Sequence, residues 1–180
     1  MTATIEQEPK LSVIVPTIGR PTLSRTLASI EAQRTIPGDQ TIVIRDDLPH
    51  RDWGAWARAE GITQAAGDFL LFMDDDDAYV PAAFDVIRAA VTANPDVVHI
   101  FRMRRFAPFN DVLWHRKNLS APGQVGTPMF AVPNRREWLG TWSRHYEGDF
   151  EFLRSTLAKM CSEPIWHEDV IAEVYPALDR

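Results

Sequence analysis

Four consecutive aspartates, Asp74, Asp75, Asp76 and Asp77, directly follow the apolar run at residues 69–73, and this junction restricts the possible folds most strongly. Adjacent carboxylates repel one another, so a fold keeps four of them at a buried strand end only where a cation or strong donors compensate. If the chain stays extended there, side chains alternate, and Asp74 and Asp76 point away from the other two. The sequence therefore predicts that Asp74 and Asp76 hold one hard divalent ion, which keeps coordination positions for water and phosphate.

The length and composition of the chain are those of one globular unit. Its 180 residues, 45% of them hydrophobic, can bury one core and are too few for two ordinary domains. The first ten residues lack the pattern of a signal peptide, and no apolar run is long enough to cross a bilayer. The one cysteine, Cys161, excludes an internal disulfide. We therefore expect a single domain, residues 1–180, in a cytoplasmic protein without a transmembrane segment.

The net charge of −6 is unevenly distributed along the chain. The segment from Arg102 to His145 contains eight basic residues and only two acidic ones, Asp111 and Glu137. Its net charge is therefore +6, and the net charge of the remaining residues is −12. Such a basic segment can attract a polyanion. Alternatively, its arginines pair with the acidic surplus elsewhere in the fold.

The first half of the chain alternates between strand and helix patterns. Short apolar runs predict strands at 11–15, 41–44, 69–73 and 97–101, the first two buried. A predicted helix follows each of the first three strands. The first and third have apolar residues on one side and a proline, Pro21 or Pro81, suited to the first turn. The second, at 53–66, is predicted from its alanine content. Short connections between such elements favour parallel strands and right-handed crossovers. The predicted fold class is therefore α/β, a three-layer parallel sheet.

Ligands of such sheets bind at the carboxyl ends of the strands. Polar residues follow each of the first three predicted strands, so all should meet at one edge of the sheet. These residues are Pro16, Thr17, Gly19 and Arg20 after the first strand, Asp46 and Asp47 after the second, and the four aspartates after the third.

The second half carries weaker patterns. Residues 129–132 predict a short strand, and Phe150, Leu153, Leu157 and Met160 form one stripe of a helix. The first turn of that helix holds acidic residues, which also suit the positive end of a helix dipole.

Several segments together resemble the inverting, nucleotide-sugar-dependent family 2 glycosyltransferases of the A-type fold. The ordered occurrence of these segments is more specific than a lone Asp-x-Asp pair. The segments are Ser12-Val13-Ile14-Val15-Pro16-Thr17, Asp46-Asp47, Ala57-Arg58, Gly61-Ile62, Ala66-Gly67-Asp68 and Met73-Asp74-Asp75-Asp76-Asp77 with Pro81 after it. The resemblance implies a Rossmann-like sheet, a nucleotide-sugar-binding half at 1–101 and an acceptor half at 102–180.

The resemblance also implies roles for individual residues. Those assigned to the donor are Pro16, Thr17 and Arg20 beside the base, Asp46 or Asp47 as acceptor of a hydrogen bond from the base, Arg58 near the nucleotide, Asp74 at the ribose or sugar, and Asp75 within the same group. Asp76 would ligate a metal that bridges the diphosphate, and oxygen ligands suit Mn²⁺ or Mg²⁺ rather than zinc. The stretch Arg45-Asp46-Asp47-Leu48-Pro49 departs from the glycine-containing turn usual in the family, and the acceptor half is short.

Catalytic and auxiliary groups are assigned with their alternatives. The family places a catalytic base at the start of a later helix, where Asp149 is our choice and Glu147 and Glu151 are alternatives; Asp149 could instead serve only as a helix cap.

His167 could contact the metal or phosphate, or be structural. Asp75 and Asp77 could be loop residues rather than ligands. The tryptophans could provide a sugar-stacking platform, for which Trp114, Trp138 and Trp142 are candidates, or belong to the core.

These assignments predict a metal-dependent transferase that moves a sugar from a nucleotide-diphosphate sugar, with UDP as the expected nucleotide, to an acceptor hydroxyl. Nucleotidyl transfer is disfavoured, because Thr17-Ile18-Gly19-Arg20 is too poor in glycine to cradle a triphosphate. A non-catalytic sugar-nucleotide or metal-binding module remains an alternative. The acceptor is left open among saccharides, lipid-linked intermediates, small molecules and a hydroxylated base in DNA, and the oligomeric state is also open.

Overall fold

The computed structural model describes residues 8–47 and 51–175, which form four helices and eight strands. The helices are α1 (Leu23–Glu31), α2 (Ala55–Gln64), α3 (Ala83–Ala93) and α4 (Gly148–Met160). The strands are β1 (Leu11–Thr17), β2 (Gln40–Arg45), β3 (Phe69–Phe72), β4 (Ala78–Tyr79), β5 (His99–Arg105), β6 (Asp111–Leu113), β7 (Phe130–Pro133) and β8 (Ile165–Val174). A short 3₁₀ helix, Thr127–Met129, leads into β7.

All eight strands belong to one mixed sheet, in the order β2-β1-β3-β7-β5-β8-β4, with β6 paired to β5. β1 is parallel to both β2 and β3, as predicted. β7, however, is antiparallel to both of its neighbours, β3 and β5. The four strands predicted in the first half, β1, β2, β3 and β5, therefore run in one direction, as predicted. The sheet is nevertheless mixed, because a buried strand from the second half of the chain inserts between two strands of the first half.

The predicted elements of the first half are confirmed in type, with two differences. β2 lies at the sheet edge, and only Ile42 and Ile44 among its six residues are buried, so the prediction of a fully buried strand there is wrong. The fourth predicted strand starts at His99 and continues to Arg105, past the apolar run. β8 was not predicted, because the exposed Glu168 and Asp169 interrupt its apolar pattern.

Helices α2 and α4 cover the same face of the sheet. Ile14 and Phe72 are register partners on parallel strands, so their side chains point to one side. Ile14 meets Gly61 of α2, while the ring of Phe72 lies 5.4 Å from that of Phe152 in α4. The other two helices contact β4 and β8 instead. The starts of α2 and α4 are thereby brought to the same side of the carboxyl end of β3.

Gly61 allows the close approach of α2 to β1. A Cβ atom at this position would lie 2.4 Å from Cγ2 of Ile14, far inside van der Waals contact. We expect Gly61→Ala to lower the free energy of unfolding by about 1–3 kcal/mol, in spite of the better helix propensity of alanine. Urea denaturation measures this, with the exposed Thr63→Ala on the same helix as control, expected within about 0.5 kcal/mol of the parent. Equal stabilities of the two variants would contradict the packing described.

The described helices are too short, or not apolar enough, to cross a membrane.

Candidate active site

The four aspartates form a turn beyond the end of β3. The amide of Asp77 donates to the carbonyl of Asp74 over 3.2 Å, so the chain turns here and does not stay extended, which was the condition for the predicted alternation. The predicted division of the side chains is nevertheless confirmed: Asp75 and Asp77 are buried, while Asp74 and Asp76 are partly exposed. The acidic turn, residues 74–77, thus presents two carboxylates outward and uses two inside the fold.

Asp75 ties the acidic turn to the loop after β1. Its Oδ2 accepts a hydrogen bond of 2.6 Å from Thr17 Oγ1, and its Oδ1 accepts one of 2.8 Å from Arg20 Nη1. Both carboxylate oxygens of Asp75 therefore bind other residues of the protein. This supports the interpretation of Asp75 as a loop residue and not as a residue that contacts the nucleotide sugar. The pairing holds Thr17 and Arg20 at the carboxyl end of the sheet, where the sequence predicts them.

Asp77 is held from the opposite side by the end of β8 and by α1. Its Oδ1 accepts a hydrogen bond of 3.2 Å from the amide of Tyr175, and its carbonyl accepts one of 2.6 Å from Thr26 Oγ1. Burial, reinforced by the neighbouring carboxylates of Asp74 and Asp76, raises the pKa of Asp77 well above its usual range. Arg25, which sequence reasoning missed, donates to the carbonyl of Asp76 and fixes the turn.

Asp76 carries negative charge that the protein compensates only in part. Burial, the largest cause, and the nearby carboxylate of Asp74 raise the pKa of Asp76, while Arg20 opposes them. The ion pair between Arg20 Nη1 and Asp76 Oδ2 is long, 3.5 Å. A divalent cation would relieve this excess, and the oxygen donors of Asp74 and Asp76 suit a hard ion.

Such a cation would have few protein ligands. Across residues 8–47 and 51–175, no three histidine, cysteine, aspartate or glutamate side chains are grouped as a metal site. One or two carboxylates would therefore share the ion with oxygens of its ligand, the arrangement that Mg²⁺ commonly adopts with phosphates.

Arg58 of α2 lies directly beside the acidic turn. Its Nη2 forms an ion pair with Asp74 Oδ1, and its Nη1 donates to the carbonyl of Trp53 over 2.6 Å. The guanidinium also lies over the ring of Trp142, 4.8 Å from its centroid, and the side chain is buried. A fixed positive charge therefore stands at the acidic turn, in agreement with the predicted place of Arg58 near an anionic ligand.

Asp149 lies in the first turn of α4, close enough to the acidic turn to interact with it. Burial raises the pKa of Asp149 to about 6, Asp74 reinforces the effect, and the amide of Phe150 and the charge of Arg58 oppose it. The Oδ1 atom accepts a hydrogen bond of 2.6 Å from that amide. Glu147 and Glu151 are exposed, whereas Asp149 is partly buried. Of the three candidate bases, the structure brings Asp149 to the site.

The two aspartates after β2 separate. The amide of Asp46 donates to the carbonyl of Thr17 over 2.8 Å, and Asp46 is buried next to β1. Asp47 is exposed and pairs with Arg45. Asp46 thus lies with Thr17 and the buried Pro16, while Leu48 and Pro49 fall outside the described residues.

His167 does not join the acidic turn. Its Nε2 atom lies 2.9 Å from Nδ1 of His99, and its ring stacks on Phe101 with centroids 4.6 Å apart. His167 is near the start of β8, whereas Tyr175, which bonds Asp77, follows its end. The two residues are on the order of 25 Å apart along the strand, at about 3.3 Å per residue. The fold thus supports the structural interpretation of His167 and not the metal contact.

Two of the three candidate tryptophans belong to the core, as the alternative interpretation predicts. Trp114 and Trp142 are buried in the core, and Trp138 is half-buried beneath Arg135. The exposed ones are Trp53 and Trp56 near the start of α2, which sequence reasoning did not single out. Their position within an alanine-rich helical segment gave no signal of exposure.

The basic middle segment is partly neutralised by ion pairs. Five of its eight basic residues pair with carboxylates, as the alternative interpretation of this segment predicts. The pairs are Arg102 and Lys117 with Glu168, Arg104 with Glu173, Arg105 with Asp111, and Arg135 with Asp96.

Solved structures of S. aureus TarS share this fold. The chain superposes on TarS 1-349 in complex with UDP with a TM-score of 0.73 at 15% identity, covering 93% of this chain and 61% of that one. The match to TarS 1-349 in complex with UDP-GlcNAc has a TM-score of 0.70 at 15% identity, covering 95% and 60%. The predicted α/β fold of the A-type glycosyltransferases is therefore confirmed.

Sequence comparison identifies the family. An uncharacterized glycosyltransferase of Haemophilus influenzae is 22% identical over 144 residues, which are 69% of this chain and 49% of that protein. The chain thus spans about half the length of this curated relative. The family model described as Glycosyl transferase family 2 matches residues 47–162, well over half of the chain. The protein therefore belongs to glycosyl transferase family 2.

Proposed function

We propose that this protein transfers a sugar from a nucleoside-diphosphate sugar to an acceptor hydroxyl, with inversion at the anomeric carbon. The observation that carries the proposal is the convergence of three groups at one edge of the sheet: the outward carboxylates of Asp74 and Asp76, the fixed charge of Arg58, and Asp149 with its raised pKa. Membership of a glycosyltransferase family supports the reaction class. The UDP and UDP-GlcNAc complexes of TarS support a UDP-sugar as donor.

The loops after β1 and β2 are proposed to receive the nucleotide. Pro16, Thr17 and Asp46 lie together there, and Asp46 is the acceptor proposed for a base N–H, since Asp47 is turned to solvent. Arg20 bridges this loop to Asp75 and Asp76, so its positive charge lies between the proposed base and diphosphate sites. Asp75 contributes by holding Thr17 and Arg20 in place.

The diphosphate is proposed to lie over the acidic turn. Asp76, with Asp74, would hold Mn²⁺ or Mg²⁺ there, since carboxylate oxygens suit a hard divalent ion and the charge of Asp76 is compensated only in part. When bound, such an ion supplies positive charge to the leaving diphosphate. Arg58 and Arg20 add fixed positive charges, and Asp74 orients the sugar or ribose from its partly exposed position.

Asp149 is proposed to act as general base. At neutral pH a carboxyl with a pKa of about 6 is mostly ionised, and it can accept a proton more readily than an ordinary aspartate. The acceptor oxygen forms a bond to the anomeric carbon, the bond from that carbon to the diphosphate oxygen breaks, and the acceptor proton passes to Asp149. One displacement from the face opposite the diphosphate inverts the configuration.

The alternatives receive less support. A non-catalytic binding module gives no reason for a partly buried carboxyl with a raised pKa next to the acidic turn. Transfer to a hydroxylated base in DNA was suggested by the basic segment, yet five of its eight basic residues are already paired with acids. A saccharide or another small hydroxyl compound is the acceptor class that we favour.

A thermal-shift assay with UDP and Mn²⁺ tests the donor site. We expect the melting temperature to rise by about 5–10 °C when both are present, since saturation at 100 times Kd contributes about 2.7 kcal/mol. UDP alone and Mn²⁺ alone should give much smaller shifts, and ADP and GDP serve as matched nucleotides. An equal shift with UDP in the presence of a chelator would contradict the metal dependence, and no shift with any nucleotide would contradict the donor class.

A further inference from the structure

Two large aromatic side chains meet at the surface, where α2 and α4 begin. Trp53 is 56% exposed and Tyr146 is 63% exposed. Their ring centroids are 5.3 Å apart, and the ring planes stand at 78°. Trp53 lies two residues before Ala55, the first residue of α2, and Tyr146 lies two residues before Gly148, the first of α4. The aromatic corner formed by Trp53 and Tyr146 thus joins the starts of both helices.

Both sides of the aromatic corner are connected to the proposed site. The carbonyl of Trp53 accepts a hydrogen bond of 2.6 Å from Arg58 Nη1, and the same guanidinium pairs with Asp74. Tyr146 precedes Asp149 by three residues and lies just before the start of α4. The corner therefore borders the acidic turn through Arg58 and the proposed base through the start of α4.

The placement of these rings is not explained by core packing. Trp114 and Trp142 show how this fold buries a tryptophan, since they are only 6% and 7% exposed. Trp53 instead has a left-handed backbone with φ of 59°, an unusual conformation for a bulky residue, and its ring remains largely in solvent. Exposed aromatic side chains grouped beside charged residues are typical of ligand recognition.

We propose that the aromatic corner of Trp53 and Tyr146 is the acceptor subsite, and that it binds a pyranose ring of a saccharide. The inference rests on the proposed function and adds the chemical class of the acceptor. The C–H face of a pyranose is apolar and packs on an aromatic ring, while its hydroxyls can pair with the indole N–H and the phenol O–H. Rings at 78° provide two walls for one sugar ring. A sugar held there lies beside the start of α4, whose first turn carries Asp149.

Binding of neutral trisaccharides to the full chain tests this subsite. Cellotriose, maltotriose and chitotriose would be titrated by calorimetry in the presence of UDP and Mn²⁺, and tryptophan fluorescence recorded in parallel. We expect at least one trisaccharide to bind and to change the fluorescence. Trp53→Ala and Tyr146→Ala should each raise its Kd by about tenfold or more, while Tyr146→Phe, which keeps the ring, should have a smaller effect.

Phe109→Ala is the matched control, because Phe109 is 61% exposed on a loop apart from the corner and should leave saccharide binding unchanged. The Kd for UDP is measured for every variant. If UDP binds and no trisaccharide does, or if both alanine variants bind as the parent does, the inference is wrong. An equal loss of UDP and saccharide affinity in Trp53→Ala would show that this ring stacks on the nucleotide base, which also overturns it. Failure of the parent protein to bind UDP contradicts the proposed function itself.

Discussion

Replacing Asp149 with asparagine is expected to lower the rate of sugar transfer by about 10²- to 10⁴-fold, the usual contribution of a general base. Asparagine has nearly the same shape as aspartate but cannot accept the proton of the acceptor hydroxyl. Its amide can keep the contact with the Phe150 amide through the side-chain oxygen, so α4 should retain its start. The rate of UDP release from a UDP-sugar, with and without acceptor, measures the effect.

The pH dependence of the parent protein provides a second readout of the same group. In the proposed mechanism the ionised form of Asp149 is the active one, and burial raises the pKa of Asp149 to about 6. The rate is therefore expected to be constant above that pH and to fall about tenfold per unit below it. The residual activity of Asp149→Asn should lack this acidic limb. If the rate of the variant falls below the same pH, a group other than Asp149 causes the pH dependence.

Two controls distinguish the loss of a base from general damage. The Kd for UDP in the presence of Mn²⁺ should change little in Asp149→Asn, since the proposed nucleotide site lies at the loops after β1 and β2. Glu151→Gln alters an exposed acid in the same helical turn and should retain the parental rate. A large loss in Glu151→Gln, with full activity in Asp149→Asn, would show that the base is wrongly assigned.

The local parts of this site were predictable because they depend on short stretches of chain. The apolar runs that became β1 and β3 carry their polar residues directly after them, and parallel pairing of the two strands brings Thr17 to Asp75. The division of the aspartates into outward and inward pairs was also predicted, although it arises from a turn and not from extended backbone. The helix that carries Asp149 in its first turn was predictable from the apolar stripe of α4, whereas the choice of Asp149 as base rests on the family resemblance.

The remainder depends on contacts between residues far apart in sequence. Nothing in residues 130–133 indicates that they insert as β7 between β3 and β5, and this insertion makes the sheet mixed. His167 stands next to acids in sequence, but β8 places it against His99 and Phe101. The exposure of Trp53 similarly depends on the turn before α2 and on its contact with Tyr146, which no local pattern reveals.

Replacing Asp76 with asparagine is expected to raise the Kd for UDP in the presence of Mn²⁺ by about 10- to 100-fold. Losing a charged ligand from such a contact costs about 1.5–3 kcal/mol, which corresponds to this range. Titration calorimetry with and without Mn²⁺ measures it, and the two values should become similar in the variant. Asp96→Asn, an exposed aspartate paired with Arg135, is the matched control and should bind UDP as the parent does.

The stability of the same variant should change in the opposite sense. Burial and Asp74 raise the pKa of Asp76, which means that the fold disfavours its ionised form. At neutral pH the group is charged in the unfolded chain, so a neutral asparagine removes an unfavourable contribution from the folded state. Without ligand, the melting temperature of Asp76→Asn should therefore equal or exceed that of the parent. A variant that is both less stable and weaker in UDP binding would indicate a structural role for Asp76, whereas a gain in stability with a loss of affinity is expected of a carboxylate kept for its ligand.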